Sequence, residues 1–595
     1  MNECAMPDAI APAPPEYGGP DDTLRRTRYP TESPDVTTNR NALQHVETRR
    51  ERAPLPRKLL LATLGLGLLA PLICLDGRSG SAPPEMYQIF ERLFFFNDYR
   101  GALAMQLGLL LALVWAPLRD GVERLAQGIG AHPARACALA FVALAAGARF
   151  VYFAHPYSMD EYAPVLQAHA FAHGDLAAHY PPTLLDRIVV PFFQGWFVLV
   201  NHATGDAASA YWPGLALLLA PFARLHLEWM LNPALSALAL WLIGDLAARA
   251  GGDPRCRGWA MLAALASPAF TVNAMSFYAM PGLLALNLLF LWLLLRPGGR
   301  AAFAAGLVGS LALVLHNPVP HALMAVTCGV WLLAGRERRL RLVPLVAGYL
   351  PLTLLLAIGW PMLTGSLGLA RLAVVGFHGS GFVAEWTARL SQIFTLPTPD
   401  VILHRWFAAW KVWIWAAPGM LLLPFALRRR DTTVKLLIAA FVLTFAFYFL
   451  VRFDQGHGWA YRYVHPMWAV LPVCAGIWIA LADAGGRAFG AAMVAAGLLA
   501  TPMFLWDTHA TIAHSLDQRL DPPADEHQYV VFITLESHMY TADLVQNLPG
   551  ETRVLRLASK GDDLDRRLIL AMSPRAVEIA HDPRGSLWRL PEPAR

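Results

Sequence analysis

Two short stretches gather the residues whose types and spacing could do chemistry. YSMDEYAPVLQAHAFAHGDL (157–176) places adjacent carboxylates, Asp160 and Glu161, straight after an apolar segment and ahead of a His-dotted run with helical spacing. A carboxylate near the operating pH is what a general base needs to take a proton from an acceptor hydroxyl. The same pair suits a plain helix start, where the macrodipole favours negative charge. QGHGWAYRYVHP (455–466) packs His457, Tyr461, Arg462, Tyr463 and His465 close together. Gly456 and Gly458 let a backbone approach a ligand, and the planar fork of Arg462 matches phosphate oxygens, with His457 and His465 beside it. Tyr461 and Tyr463 could line a substrate. An interfacial aromatic belt with a snorkelling Arg is the other reading of this stretch.

Smaller clusters are less specific. His316, Asn317 and His321 bracket NPVP at a hairpin tip and could touch substrate, although polar residues at an interfacial turn need no further reason. His169 and His173 share a helix face at i, i+4, the spacing of a metal pair, with no third ligand evident. No cofactor is therefore required, and a divalent metal is not favoured. FHGSGFVAEW (377–386) is Gly-rich and aromatic and either shapes an acceptor groove or turns the chain.

The elements that must position these residues are membrane helices. Of 595 residues 56% are hydrophobic and only 15% charged, which excludes a soluble multidomain chain and indicates an all-α polytopic membrane protein. About thirteen candidate spans of ~20 mostly apolar residues begin near Leu59, Gly101, Ala136, Trp229, Trp259, Pro281, Ala301, Pro320, Leu342, Trp410, Val434, Pro466 and Phe489. Residues 1–57 lack hydrophobic periodicity and read as a disordered cytoplasmic tail without a cleavable signal peptide. Arg49, Arg50, Arg52, Arg57 and Lys58 before the first span set the N-terminus in the cytoplasm. Alternate counting then puts the basic loops near 119–135, 249–257, 296–300, 335–341, 428–430 and Arg487 on the same side, provided that AYWPGLALLLAPFARL (210–225) lies in the outer interface without crossing.

This topology turns both chemical stretches outward, within loop 156–228 and segment 452–466. The transmembrane domain runs over 58–506, and 507–595 reads as a small extracytoplasmic α/β domain with strands near 529–533, 552–558 and 575–580 around a helix at 562–572. Six cysteines show no paired spacing, and a net charge of +5 spread between spans is no nucleic-acid footprint. A transporter or flippase of a lipid-linked or small polar substrate is the competing class. Against it, 259–295, 301–334 and 343–370 contain no Asp, Glu, Lys or Arg, whereas ion-coupled transporters keep ionisable groups at membrane depth.

The opening DE with its Tyr and the following FAHGDL, then ASAYWPGLALLLAPF (208–222) and SFYAMPGLLALNLLFLWLL (276–294), resemble the GT-C superfamily of integral-membrane glycosyltransferases, in particular its protein O-mannosyltransferase and aminoarabinose-transferase branch. The resemblance covers roughly 135–500 and rests on the order of weak motifs. It implies sugar transfer from a polyprenyl-phosphate donor to a lipid, glycan or protein acceptor outside a bacterial inner membrane, with Asp160 as base and Glu161 as supporting acid or cap. Two departures stand out. No Lys lies near 205–212, where that branch carries a basic residue, so phosphate contact falls to another group such as Arg187. No DxD surrounds Asp160, which sets aside the metal dependence of the oligosaccharyltransferase branch.

Overall fold

A computed structural model describes residues 56–76, 92–369, 393–428, 430–452, 456–535 and 540–591. The expected tail and the 377–386 loop lie outside the described residues, save for Pro56 and Arg57. Helices dominate: α1 (Arg57–Asp76), α2 (Tyr99–Val114), α3 (Ala116–Ala131), α4 (Pro133–Phe150), α5 (Met159–His173), α6 (Gly214–Ala223), α7 (Leu231–Gly251), α8 (Arg255–Leu265), α9 (Pro268–Met275), α10 (Met280–Leu294), α11 (Gly299–Leu313), α12 (Val319–Leu333), α13 (Leu342–Leu352), α14 (Gly359–Ser366), α15 (Pro399–Ile414), α16 (Thr432–Phe447), α17 (Val470–Leu481), α18 (Ala484–Leu516) and α19 (Asp562–Met572). Among the described residues six helical stretches are long and apolar enough to cross a bilayer, or up to eight if the bent pairs around α2–α3 and α9–α10 each count once. The protein is a multi-pass membrane protein.

Three more expected spans fall on the shorter apolar helices α11, α12 and α17, and the one begun near Trp259 falls on α8. The span expected from Trp410 is displaced: α15 starts at Pro399 behind a Thr398 cap that accepts the Val401 amide at 3.3 Å, and ends at Ile414. Its buried Arg405 and Lys411 lower the apolar signal of a helix that packs them inward. Lys411 Nζ lies 2.7 Å from Asp98 Oδ2, a pairing that a charge buried among helices requires. At ten residues, ~15 Å, α6 is half the ~30 Å of a bilayer core and cannot cross it.

Outside the spans, β1 (Ala178–His179), β2 (Val198–Asn201) and β3 (Asp206–Ser209) form an antiparallel sheet in the order β1-β3-β2. Two-residue strands β4 (His457–Gly458) and β5 (Ala460–Tyr461) make a tight hairpin. The C-terminal segment holds β6 (Tyr529–Ile533), β7 (Val554–Ala558), β8 (Val577–Asp582) and β9 (Gly585–Arg589) in the order β7-β6-β9-β8, parallel between β6 and β7 and antiparallel elsewhere. The sequence pattern marks three of these strands and not β9, whose GSLWR is short and follows β8 across a tight turn.

Helix α5 stops where Gly174 turns left-handed (φ 91°) and Asp175 N–H bonds back to Ala170 O at 3.0 Å, a Schellman-type end. The His-dotted run is this helix, and it is buried on nearly every side, because α6 covers one face and the C-terminal sheet another. Segment 212–215 runs beside 314–316, with Gly214 N–H donating to Val314 O and Leu215 N–H to Leu315 O, both at 2.9 Å. A Cβ on Gly214 would lie 2.5 Å from Val314 O, so the approach needs glycine. Gly214→Ala should push the two segments apart, costing roughly 1–3 kcal/mol by overpacking and lowering turnover by about tenfold or more if the chemistry takes place between them. Thermal melting and donor-cleavage rates of the purified variant check both.

Candidate active site

Asp160 sits in the first turn of α5 with a fifth of its side chain exposed. The hydroxyl of Tyr211 donates to Oδ1, and Arg462 Nη1 lies 3.1 Å from Oδ2. Arg462, 2% exposed, rests over the ring of Tyr278 at 4.5 Å, and the Tyr278 hydroxyl is 3.0 Å from Ser158 Oγ. His316 lies against Tyr211 with ring centroids 3.8 Å apart and a tilt of 31°, and among the described residues its Nδ1 has no hydrogen-bond partner. Asp160, Tyr211, His316 and Arg462 face a cavity of about 260 Å³ whose other walls are mostly apolar, among them Met280, Leu283, Val319, Pro320, Phe394 and Phe447, while Tyr278 and Ser158 lie behind them. Asn317, Tyr448 and Tyr463 complete the polar lining, Tyr463 stacked on Tyr448 at 4.0 Å and 12°.

Electrostatics follow from this packing. Burial pushes the Asp160 carboxyl upward, but Arg462, His316 and the Tyr211 hydroxyl outweigh it and hold the group below the ordinary carboxylate value. Asp160 is thus an anion at neutral pH. Burial lowers His316 to about 4, despite the opposing pull of Asp160, so its imidazole is neutral there.

Backbone pins from buried polar side chains place each wall. Arg405 donates to Tyr448 O at 2.9 Å and Val451 O at 3.2 Å. Asn287 donates to Pro466 O at 3.2 Å and is itself bonded to His321 Nδ1 at 2.7 Å, whose Nε2 meets Tyr349 Oη at 2.7 Å. Asn273 holds Trp459 O at 2.8 Å. In the hairpin before Arg462, Ala460 is left-handed (φ 62°). Gly456 serves packing: a Cβ there would lie 2.5 Å from the Tyr461 ring and 2.8 Å from Tyr463.

The sequence candidates divide accordingly. Asp160, Arg462, Tyr463, His316 and Asn317 meet at the cavity. Glu161 does not: fully buried, it accepts Tyr152 Oη at 2.8 Å, Tyr157 N–H at 2.6 Å and Phe277 N–H at 3.0 Å, tying α5 to the α9–α10 break. Burial raises its carboxyl to about 7 against those three bonds. Arg187 is drawn away by Asp565, with which it forms a buried ion pair, and by Ala558 O at 3.2 Å. His465 is spent on Ala269 O at 3.1 Å, and Tyr461 packs between Phe445 and Tyr463. The His457 side chain lies outside the described residues. His169 and His173 do not converge, since His173 Nδ1 bonds His169 O at 2.8 Å, and among the described residues no three His, Cys, Asp or Glu side chains gather where a metal ion could sit. Tyr211 and Tyr278 are site residues that the sequence pattern did not single out; their signal was a hydroxyl beside a proline-bearing break in an apolar run, YWP and YAMP.

No family model matches the chain, and no curated protein matches it. Among solved structures it is similar to ArnT from Cupriavidus metallidurans bound to undecaprenyl phosphate, with 14% identity and a TM-score of 0.47 over 76% of this chain and 97% of that one. It is also similar to the apo state of the same ArnT, with 15% identity and a TM-score of 0.44 over 77% and 98%.

If Arg187 is structural, Arg187→Met should leave donor KM within about twofold while stranding Asp565, at a cost of roughly 3–5 kcal/mol. Steady-state kinetics beside thermal melting separate the two roles.

Proposed function

We propose that the protein is a GT-C-like membrane glycosyltransferase that moves a sugar from a polyprenyl-phosphate donor to an acceptor hydroxyl or phosphate on the extracytoplasmic side, in a bacterial inner membrane. One observation carries this reading: an anionic carboxylate and a guanidinium share the wall of a cavity whose remaining lining is mostly apolar. The apolar walls suit a prenyl chain, and Arg462 suits the phosphate to which the sugar is joined.

With a hydroxyl acceptor, its oxygen bonds to the anomeric carbon as the bond from that carbon to the phosphate oxygen breaks. The hydroxyl proton passes to Asp160, and the electron pair of the broken bond leaves with polyprenyl phosphate. Arg462 offsets the charge that gathers on the leaving oxygens, in a site where neighbouring groups already fix its direction. Tyr278 supports the guanidinium through its ring face, and neutral His316 offers a hydrogen bond without adding charge. The sequence resemblance, with Asp160 at the position of that branch's loop aspartate, agrees with this assignment. No Lys lies near 205–212, where the branch carries a basic residue, and within that stretch Tyr211 supplies a hydroxyl to Asp160.

Asp160→Asn should cut turnover by about 10²–10⁴-fold while the protein still inserts and folds, with a lowered melting temperature because Arg462 loses its counter-charge. Arg462→Ala should lower kcat by about 10²–10³-fold and weaken donor use. The assay is release of free polyprenyl phosphate from a panel of polyprenyl-phosphate-linked pentoses and hexoses. Full activity of Asp160→Asn removes the base; no turnover of any donor by the wild type, together with movement of the lipid across vesicles, points to a flippase.

A further inference from the structure

We propose that the C-terminal α/β segment positions the reacting carboxylate: Asp543, through the amide of Met159, fixes the first turn of α5 so that Asp160 faces the cavity. The inference rests on the reading of Asp160 as the base.

The first turn of any helix leaves N–H groups that need an outside acceptor. Ser158 is the N-cap of α5 and a residue type that commonly supplies that acceptor, yet its side chain makes no cap bond and its hydroxyl lies at the Tyr278 hydroxyl instead. The acceptor comes from a residue 384 positions away: Met159 N–H donates to Asp543 Oδ1 at 2.8 Å. Two further grips come from the same short stretch. Gln546 Nε2 donates to Pro156 O at 2.8 Å. Tyr162 Oη donates to Asn547 O at 2.6 Å and accepts Asn547 N–H at 2.8 Å.

Residues 156, 159 and 162 are therefore each held from the C-terminal side, and Asp160 lies between the last two. Asp543, Gln546 and Asn547 are all buried. The grip is also apolar: Met159, Tyr162, Ala163 and Leu166 share one hydrophobic core with Val530, Phe532, Leu544, Leu557 and Trp588. Asp160, on the turn they hold, lines the cavity.

The chemistry of the cap sharpens what each substitution should do. Asp543 joins Asp160 and Glu161 at one helix start, and burial together with those two charges raises its carboxyl to about 7. A third negative charge there is unfavourable, so what the site uses is the acceptor oxygen, which an amide also provides. Asp543 is a positioning residue and does not line the cavity.

The experiment uses the purified full chain with the polyprenyl-phosphate sugars above, comparing Asp543→Ala, Asp543→Asn and Tyr162→Phe. Asp543→Ala should lose about tenfold or more in kcat with donor KM within about twofold, as expected of a misaimed group in an intact pocket. Asp543→Asn should stay within about threefold of wild type, and Tyr162→Phe, which keeps the ring, should lose about three- to tenfold. In parallel, hydrogen exchange of the amides in 157–163 should quicken about tenfold in Asp543→Ala while α7 is unchanged. Unaltered exchange, an unaltered kcat, or an Asn variant as poor as the Ala variant would overturn the proposal. If the wild type turns over no donor, the glycosyl-transfer reading fails, and the exchange comparison alone still decides whether Asp543 holds this turn.

Discussion

The ion pair between Asp160 and Arg462 is the constraint around which the cavity and the elements that wall it are arranged. Both groups are largely withdrawn from water, and two desolvated charges repay their loss of hydration only when geometry and further hydrogen bonds are in place. Tyr211, Tyr278 and His316 supply that surrounding. The pair joins parts of the chain 302 positions apart, so every element that carries one partner or braces it has to arrive in register.

Register is enforced mainly through backbone. The tip of the α11–α12 hairpin is locked to the start of α6 by amide-to-carbonyl bonds across Gly214, which sets His316 against Tyr211. The loop bearing Arg462 is held by Asn273, Asn287 and His465, and the facing wall by Arg405. Buried polar side chains among apolar helices thus act alike, each satisfying a carbonyl in irregular backbone that would otherwise be stranded away from water. His321 illustrates the depth of this bracing, since it orients Asn287 and is oriented by Tyr349.

Much of this was legible in the residues. Hydropathy and basic loops marked the helices, and polar types in apolar surroundings marked Asp160, Arg462, His316 and Asn317. What periodicity could not carry was pairing over distance. Arg187 looked available for phosphate because its partner, Asp565, is encoded 378 positions later. Glu161 looked like a second acid, and only the fold shows its three donors coming from Tyr152, Tyr157 and Phe277. The burial of α5 was hidden for the same reason, since the sheet that covers it is written near the other end of the chain. The start of α15 was misread because Arg405, which counts against a span in any hydropathy window, is a residue that helix buries.

The core shared by α5 and the C-terminal sheet has a bearing on how the protein is made. Met159 emerges from the ribosome long before Leu587 and Trp588, which finish the same core from strand β9. Closing contacts over so many residues is slow relative to local helix formation. The early loop therefore stays incompletely covered until the strands that share its core have been made. A chain halted short of β9 carries helices α1 to α19 but an unfinished cover over the helix that bears residue 160.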